Sequence, residues 1–227
     1  LRASGLWEGM LNERRFAALL VHQRADALAD DSTTFLGGME QVLPAHTLKV
    51  DMAGRRVYRR YWQVPEAESA QAAADAPARF IETFEDAMKL TIRADVPVGV
   101  MLSGGMDSSA IACEMARLVG DATQRRAPLH AFCYLSAEHD ETEQLADTVS
   151  RTGALMHRYQ PAGDAVWHDL PLTLWHHDEP VHSASVVAGF GLYRLAASHG
   201  VRVVLGGQGA DETMAGYPNF FEHALLS

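Results

Sequence analysis

The sequence predicts an α/β protein: a mostly parallel sheet with helices on both faces, preceded by a short β-hairpin region. Three observations carry this. Downstream of Pro77, short apolar runs alternate with stretches of helical periodicity. One of them, Val98–Leu102, is an uninterrupted apolar run, as expected of a strand buried on both faces. Two of them, moreover, end in turns crowded with glycine, Leu102–Ser109 and Gly206–Glu212.

In chain order, Phe16, Leu19, Leu20 and Leu28 recur at helical spacing and predict a helix from Glu13 to Ala29. The β-rich runs His46–Val50 and Val57–Tyr61 flank Met52-Ala53-Gly54, a hairpin turn with glycine in the permissive position. Residues 1–64 are therefore read as the end of an N-terminal region with its connecting segment, and 65–77 as an Ala- and Glu-rich linker with proline at each end. Residues 78–227 form the main domain. In it, Phe80, Ile81, Phe84, Met88 and Ile92 make a helical stripe, and Val98–Leu102 a buried strand. Ser109–Val119 is a helix closed by Gly120, and Leu129–Leu135 the second strand. Glu141–Thr152, closed by Gly153, precedes a third strand at Ala154–Tyr159. Val186–His199, closed by Gly200, leads to a fourth at Val201–Leu205. Such alternation implies right-handed crossovers. The chain opens on Leu1 and stops within helix-like sequence at Ser227, so it reads as a piece of something longer, truncated at its C-terminus.

Composition excludes several classes. With 227 residues and 48% apolar content, a sizeable core can form. A net charge of −10 argues against a nucleic-acid surface, which needs clustered cations. Arg55, Arg56, Arg59 and Arg60 beside the hairpin turn read as a solvated face. No apolar run has the length of a membrane span, and no signal peptide opens the chain. Cys113 and Cys133 sit in apolar runs without metal-ligand spacing and read as buried packing. That usage fits a reducing, cytoplasmic setting. His176-His177-Asp178-Glu179 is contiguous rather than spread along one helical face, so it reads as a loop rather than a metal cluster. Trp7, Trp62, Trp167 and Trp175 read as core or interface anchors.

The chemistry lies in the two glycine turns. In Leu102-Ser103-Gly104-Gly105-Met106-Asp107-Ser108-Ser109, a strand becomes a helix through adjacent glycines. Backbone amides there can approach an anion closely, and the helix dipole favours negative charge. Ser103, Ser108 and Ser109 add hydroxyls. Asp107 would repel a phosphate unless Mg²⁺ stood between them, a pairing suited to a cation that takes few protein carboxylates plus phosphate oxygens. The turn lacks the lysine of the common P-loop. Leu205-Gly206-Gly207-Gln208-Gly209-Ala210-Asp211-Glu212 repeats the arrangement at the end of the fourth strand. If the first and fourth strands are neighbours across a reversal in strand order, both turns share one crevice. Asp107 and Asp211 then become two oxygen ligands for one metal.

Leu102–Ser109 resembles the pyrophosphate-binding loop of the N-type ATP pyrophosphatases, and Gly206–Glu212 with Gly216-Tyr217 resembles the second signature of the asparagine synthetase family within that group. Leu43-Pro44-Ala45-His46 and Tyr61-Trp62 are similar to the segment joining that family's glutaminase and synthetase domains, and Asp140-Glu141 and Asp178-Glu179-Pro180 stand in family order. The resemblance implies an adenine nucleotide alpha hydrolase-like fold. It also implies cleavage of ATP to AMP and pyrophosphate, activating a carboxylate as an acyl-adenylate that an amine attacks. Ser103, Gly104, Gly105, Asp107 and Ser108 would hold the pyrophosphate, and Asp107 and Asp211 the Mg²⁺. Leu102, Tyr134, Gly206 and Gly207 would line the adenosine pocket, and His182 and Ser183 an acceptor pocket. Stabilising the departing pyrophosphate would supply most of the rate. Implied partners are ATP, a carboxylate such as aspartate, and ammonia from a glutaminase domain; a homodimer is left open.

Three departures qualify the resemblance. The glutaminase nucleophile, an N-terminal cysteine, has no match in this sequence. Gln208 stands where many members carry glutamate, and glutamine cannot act as a base. Family residues beyond the second turn, a lysine among them, have no counterpart before Ser227. Aspartate is the leading acceptor; a peptide side chain, as in lasso-peptide cyclases, or a sugar acid is the alternative. A catalytically inactive ATP-binding domain is a third reading, disfavoured by intact Asp107, Ser108 and Asp211.

Overall fold

A computed structural model describes residues 5, 9–22, 32–63, 75–121, 128–135, 140–218 and 220. The expectations for residues 23–29, for most of the 65–77 linker, for Trp7 and for the last residues lie outside these. The chain divides into two compact units, residues 1–73 with 170–186, and residues 74–169 with 187–227.

In the first unit, α1 (Glu13–His22) starts where the Asn12 side chain accepts the Arg15 amide at 3.3 Å. Phe16 meets the buried Phe35 edge-on at 5.2 Å between ring centroids. Arg15 is buried too, its guanidinium donating to the Thr33 hydroxyl and carbonyl. The hairpin forms as expected: β1 (His46–Val50) pairs antiparallel with β2 (Arg56–Arg60), Leu48 opposite Tyr58, and Gly54 in the turn has φ +78. Every residue of β2 is exposed, so its arginines are a solvated face.

The second unit holds a four-stranded parallel sheet in the order β5-β4-β3-β6. Its strands are β3 (Val98–Met101), β4 (His130–Tyr134), β5 (Leu155–Tyr159) and β6 (Val203–Leu205). Alternation along each strand divides the core. Val100, Ala131, Cys133 and Leu205 point to one face, where α2 (Ala76–Thr91), α3 (Met106–Asp121) and α4 (Thr142–Thr152) supply Met88, Met115 and Leu145. Phe132 points to the other face, against Ala196 and half-buried Leu192 and Leu195 of α6 (Ala184–Ser198). Met115 and Leu145 are 1% exposed, so truncating either to alanine would cost about 2–5 kcal/mol.

Several expectations are corrected. Cys113 is exposed, whereas Cys133 is buried as expected. Cys113 lies two residues from both Ile111 and Met115, about 200° round the helix from each. Helix α3 begins at Met106 rather than Ser109 and runs through Gly120 to Asp121 instead of closing before it. A helix that the sequence pattern did not suggest, α5 (Ala165–His177), contains Pro171, which obscures its periodicity. His176 and His177 close that helix, and Asp178, at φ +61, lies beyond it. Trp62, Trp167 and Trp175 are exposed, so none is a core residue.

On the sheet, the Nδ1 of His130 and Nε2 of His157 are 2.9 Å apart, and the His157 and His199 rings lie 3.8 Å apart between centroids. Burial, reinforced by the two neighbouring imidazoles, lowers the His157 pKa below its ordinary 6.5. The native state thus favours the neutral ring, and the unfolded chain binds more protons below that value. This contribution is complete above about pH 6.5 and is lost as pH falls. Denaturation midpoints should therefore drop between pH 7 and pH 5, and His157→Asn should flatten that slope; an unchanged slope would contradict the assignment.

Candidate functional site

The strand order reverses beside β3. The chain steps from β3 to β4 to β5 in one direction, and β6 then returns to the other side of β3, with Val98 opposite Val203 and Val100 opposite Leu205. All four strands are parallel, so the turns after β3 and β6 leave the same edge of the sheet side by side, the place where such sheets take ligands.

The first turn is tied from within by Ser108. Its buried Oγ accepts the Ser103 amide at 3.0 Å and lies 2.9 Å from Ser103 Oγ. The single hydroxyl hydrogen is shared between the Ser103 and Gly105 carbonyls, at 3.0 and 3.2 Å. Ser103 Oγ in turn accepts the Gly105 amide at 3.2 Å. Ser109 faces away from the turn, receiving a 3.2 Å hydrogen bond from the buried Thr148 of α4. The Gly104 amide donates to Oε2 of Glu141 at 2.9 Å, a contact no spacing in the sequence announced. Leu102 sends its side chain into the core and its amide to the Phe132 carbonyl, so only its backbone borders the turn.

The second turn packs directly on the first. A Cβ placed on Gly207 would lie 3.0 Å from the Asp107 Cβ and 3.2 Å from the Ser108 amide nitrogen. A side chain there would force these neighbours to shift, so glycine eases the approach. Gly206 is not so constrained, its nearest neighbour being Met101 at 3.8 Å. Gly209, at φ +94, leads into α7 (Ala210–Met214). Gly216 lies against Asp211 and donates its amide to the Asp211 carbonyl at 2.9 Å. Tyr217 donates to Glu212 at 3.0 Å, and that bond raises its pKa.

Asp107 and Asp211 therefore stand in the first turns of two helices, at the same end of neighbouring strands, each half-buried. Two carboxylates beside amides suited to phosphate fit the donor set of Mg²⁺, which completes its shell with phosphate oxygens and water. Among the described residues, no group of three or more His, Cys, Asp or Glu could hold a metal by itself. Gln208 is exposed at the tip of the second turn. Tyr134 ends β4 at the same edge, 41% exposed, its ring 6.3 Å from that of Tyr159, its register partner on β5. His182 and Ser183 belong to the first unit, where Ser183 Oγ lies 2.6 Å from Ser185 Oγ.

A family profile described as asparagine synthase matches residues 79–227. The chain belongs to the asparagine synthase family. It is 32% identical over 171 residues to asparagine synthetase [glutamine-hydrolyzing] 2 of Lotus japonicus, covering 72% of this chain and 29% of that protein. Against asparagine synthetase [glutamine-hydrolyzing] of Asparagus officinalis, identity is 32% over 189 residues, 79% of this chain and 31% of the relative. It is also 26% identical over 204 residues to amidase chyE of Penicillium rubens, covering 84% of this chain and 30% of the amidase. The chain thus spans roughly a third of the length of these curated relatives. The α/β fold expected of the family is present, and no helix among the described residues is long and apolar enough to cross a membrane.

The packing of the two turns is itself testable. Gly207→Ala should destabilise the protein by about 1–3 kcal/mol, because backbone and a Cβ oppose the new methyl. Gly206→Ala should cost less than about 1 kcal/mol. Equal costs in denaturant titrations would contradict the interlocked arrangement.

Proposed function

We propose that this chain is the ATP-using, carboxylate-activating part of an amide-forming synthetase. The observation that supports the reading is the close approach of Gly207 to Asp107 and Ser108, which brings the two glycine turns against one another. In this reading a substrate carboxylate oxygen attacks the α-phosphorus of ATP, and pyrophosphate leaves. An amine then attacks the activated carbonyl carbon, and AMP departs. The Gly104 amide and the hydroxyl of Ser103, itself oriented by the Gly105 amide, hold the departing pyrophosphate, in a shape that Ser108 fixes from inside. Asp107 and Asp211 would hold Mg²⁺, which supplies neutralisation of phosphate charge. Tyr134, the Leu102 backbone, Gly206 and Gly207 border the adenosine. Fixed donors of this kind act where charge develops and need no reorganisation during the reaction.

Aspartate as acceptor, with ammonia from a glutaminase domain, is the finer form of the proposal. It is supported by the names of the plant relatives, asparagine synthetase [glutamine-hydrolyzing]. A different carboxylate is the second reading. Gln208 favours it, being exposed at the mouth of the turn yet unable to take a proton, as does similarity to a relative named as an amidase.

In the full-length protein, Asp107→Asn should reduce ATP–pyrophosphate exchange by about 10²–10³-fold, the usual effect of removing such a stabilising group. Exchange within a few-fold of wild type would sink the assignment. For Gln208→Glu, adenylation and amide formation measured separately should both stay within about tenfold if Gln208 only positions substrate. Selective loss of amide formation would reject positioning and point to another acceptor chemistry.

A further inference from the structure

Glu141 stands at the N-cap position of α4 but makes no side-chain cap bond there. The Thr142 amide is taken instead by Asp140 Oδ1 at 3.0 Å, and hydrogen bonding from the Thr142 side chain, then from its amide, lowers the Asp140 pKa. With the helix start served by its neighbour, Glu141 crosses to the glycine turn and accepts the Gly104 amide at 2.9 Å. The placement is braced by backbone geometry. A Cβ on Gly104 would lie 2.9 Å from the Glu141 Cβ and 3.2 Å from the Gln144 Cβ, so the start of α4 sits directly against the turn. A second tie, from Thr148 to Ser109, fixes α4 to α3 two helical turns further on.

A carboxylate oxygen and a phosphate oxygen make the same demand on a backbone amide: both are anionic acceptors seeking a short, charge-assisted hydrogen bond. They also repel one another, so the Gly104 amide serves one at a time. We propose that Glu141 is an internal competitor of the nucleotide's phosphate chain for the Gly104 amide, setting how tightly the turn holds polyphosphate. This rests on reading the turn as a phosphate site. Its consequence lies in product release. A carboxylate on α4, close enough to return to the amide, weakens the hold on pyrophosphate once the bond to the α-phosphorus has broken. Glu141 is thus a residue that tunes affinity without reacting.

The test is calorimetric titration of the full-length protein with magnesium pyrophosphate, comparing wild type with Glu141→Gln and Glu141→Ala. Both variants should bind about three- to thirtyfold more tightly, because the competing charge is gone. Unchanged or weaker binding would overturn the proposal and make Glu141 a positioning or metal-holding residue. Glu141→Gln keeps the side chain's length and an acceptor, and covers the case in which alanine disturbs the fold. A collapse of its thermal midpoint would also overturn competition, in favour of a structural contact. Asp107→Asn separates the two layers of argument. If wild type binds, Asp107→Asn abolishes binding and the Glu141 variants match wild type, competition alone fails. Absence of binding by wild type and both Glu141 variants would remove the phosphate reading with it.

Discussion

The pairing of β6 with β3 is the constraint from which the site follows. Three consecutive register pairs, from Val98–Val203 to Val100–Leu205, bring β6 back beside the strand that opened the sheet. Because the pairing is parallel, the chain leaves both strands in the same direction, and two turns about a hundred residues apart in sequence touch. Gly207 then approaches Asp107 and Ser108 so closely that a side chain would press on them. The buried faces hold that geometry in place. Val100 and Leu205 pack with Met115 and Leu145 on one side of the sheet, and Phe132 with Ala196 and Val201 on the other.

The first turn shows how little chemistry is needed to fix the shape of a glycine-rich turn. One buried hydroxyl, that of Ser108, meets the Ser103 amide, the Ser103 hydroxyl and two carbonyls. Removing it would leave a part-buried amide without its acceptor, at a cost of about 1–3 kcal/mol. Serine at this position is therefore a fastener of the turn. The same economy appears at α4, where Asp140 serves the helix start and leaves Glu141 to face Gly104.

Much of this was legible in the sequence because strands buried on both faces are written as continuous apolar runs. Val98–Leu102 declared itself that way, and the glycine turns follow the strands that end at Leu102 and Leu205. The hairpin was legible from its β-rich flanks and Gly54. What escaped had physical reasons. Helix α5 carries Pro171 in its interior, so its periodicity did not register. Cys113 has apolar neighbours in sequence, but helical geometry turns it to the opposite side from Met115. The Glu141–Gly104 bond joins residues 37 apart, and no local pattern encodes such a contact. Ser108 was legible as a motif residue, but not its inward direction, which depends on the fold of the turn.

The central claim is that the two turns form one nucleotide site. Hydrogen exchange on the full-length protein, with and without a non-hydrolysable ATP analogue and Mg²⁺, tests it most directly. One bound ligand should protect amides in both segments, 103–108 and 206–212, with the same concentration dependence. Protection confined to one segment, or appearing in the two at different concentrations, would contradict the account.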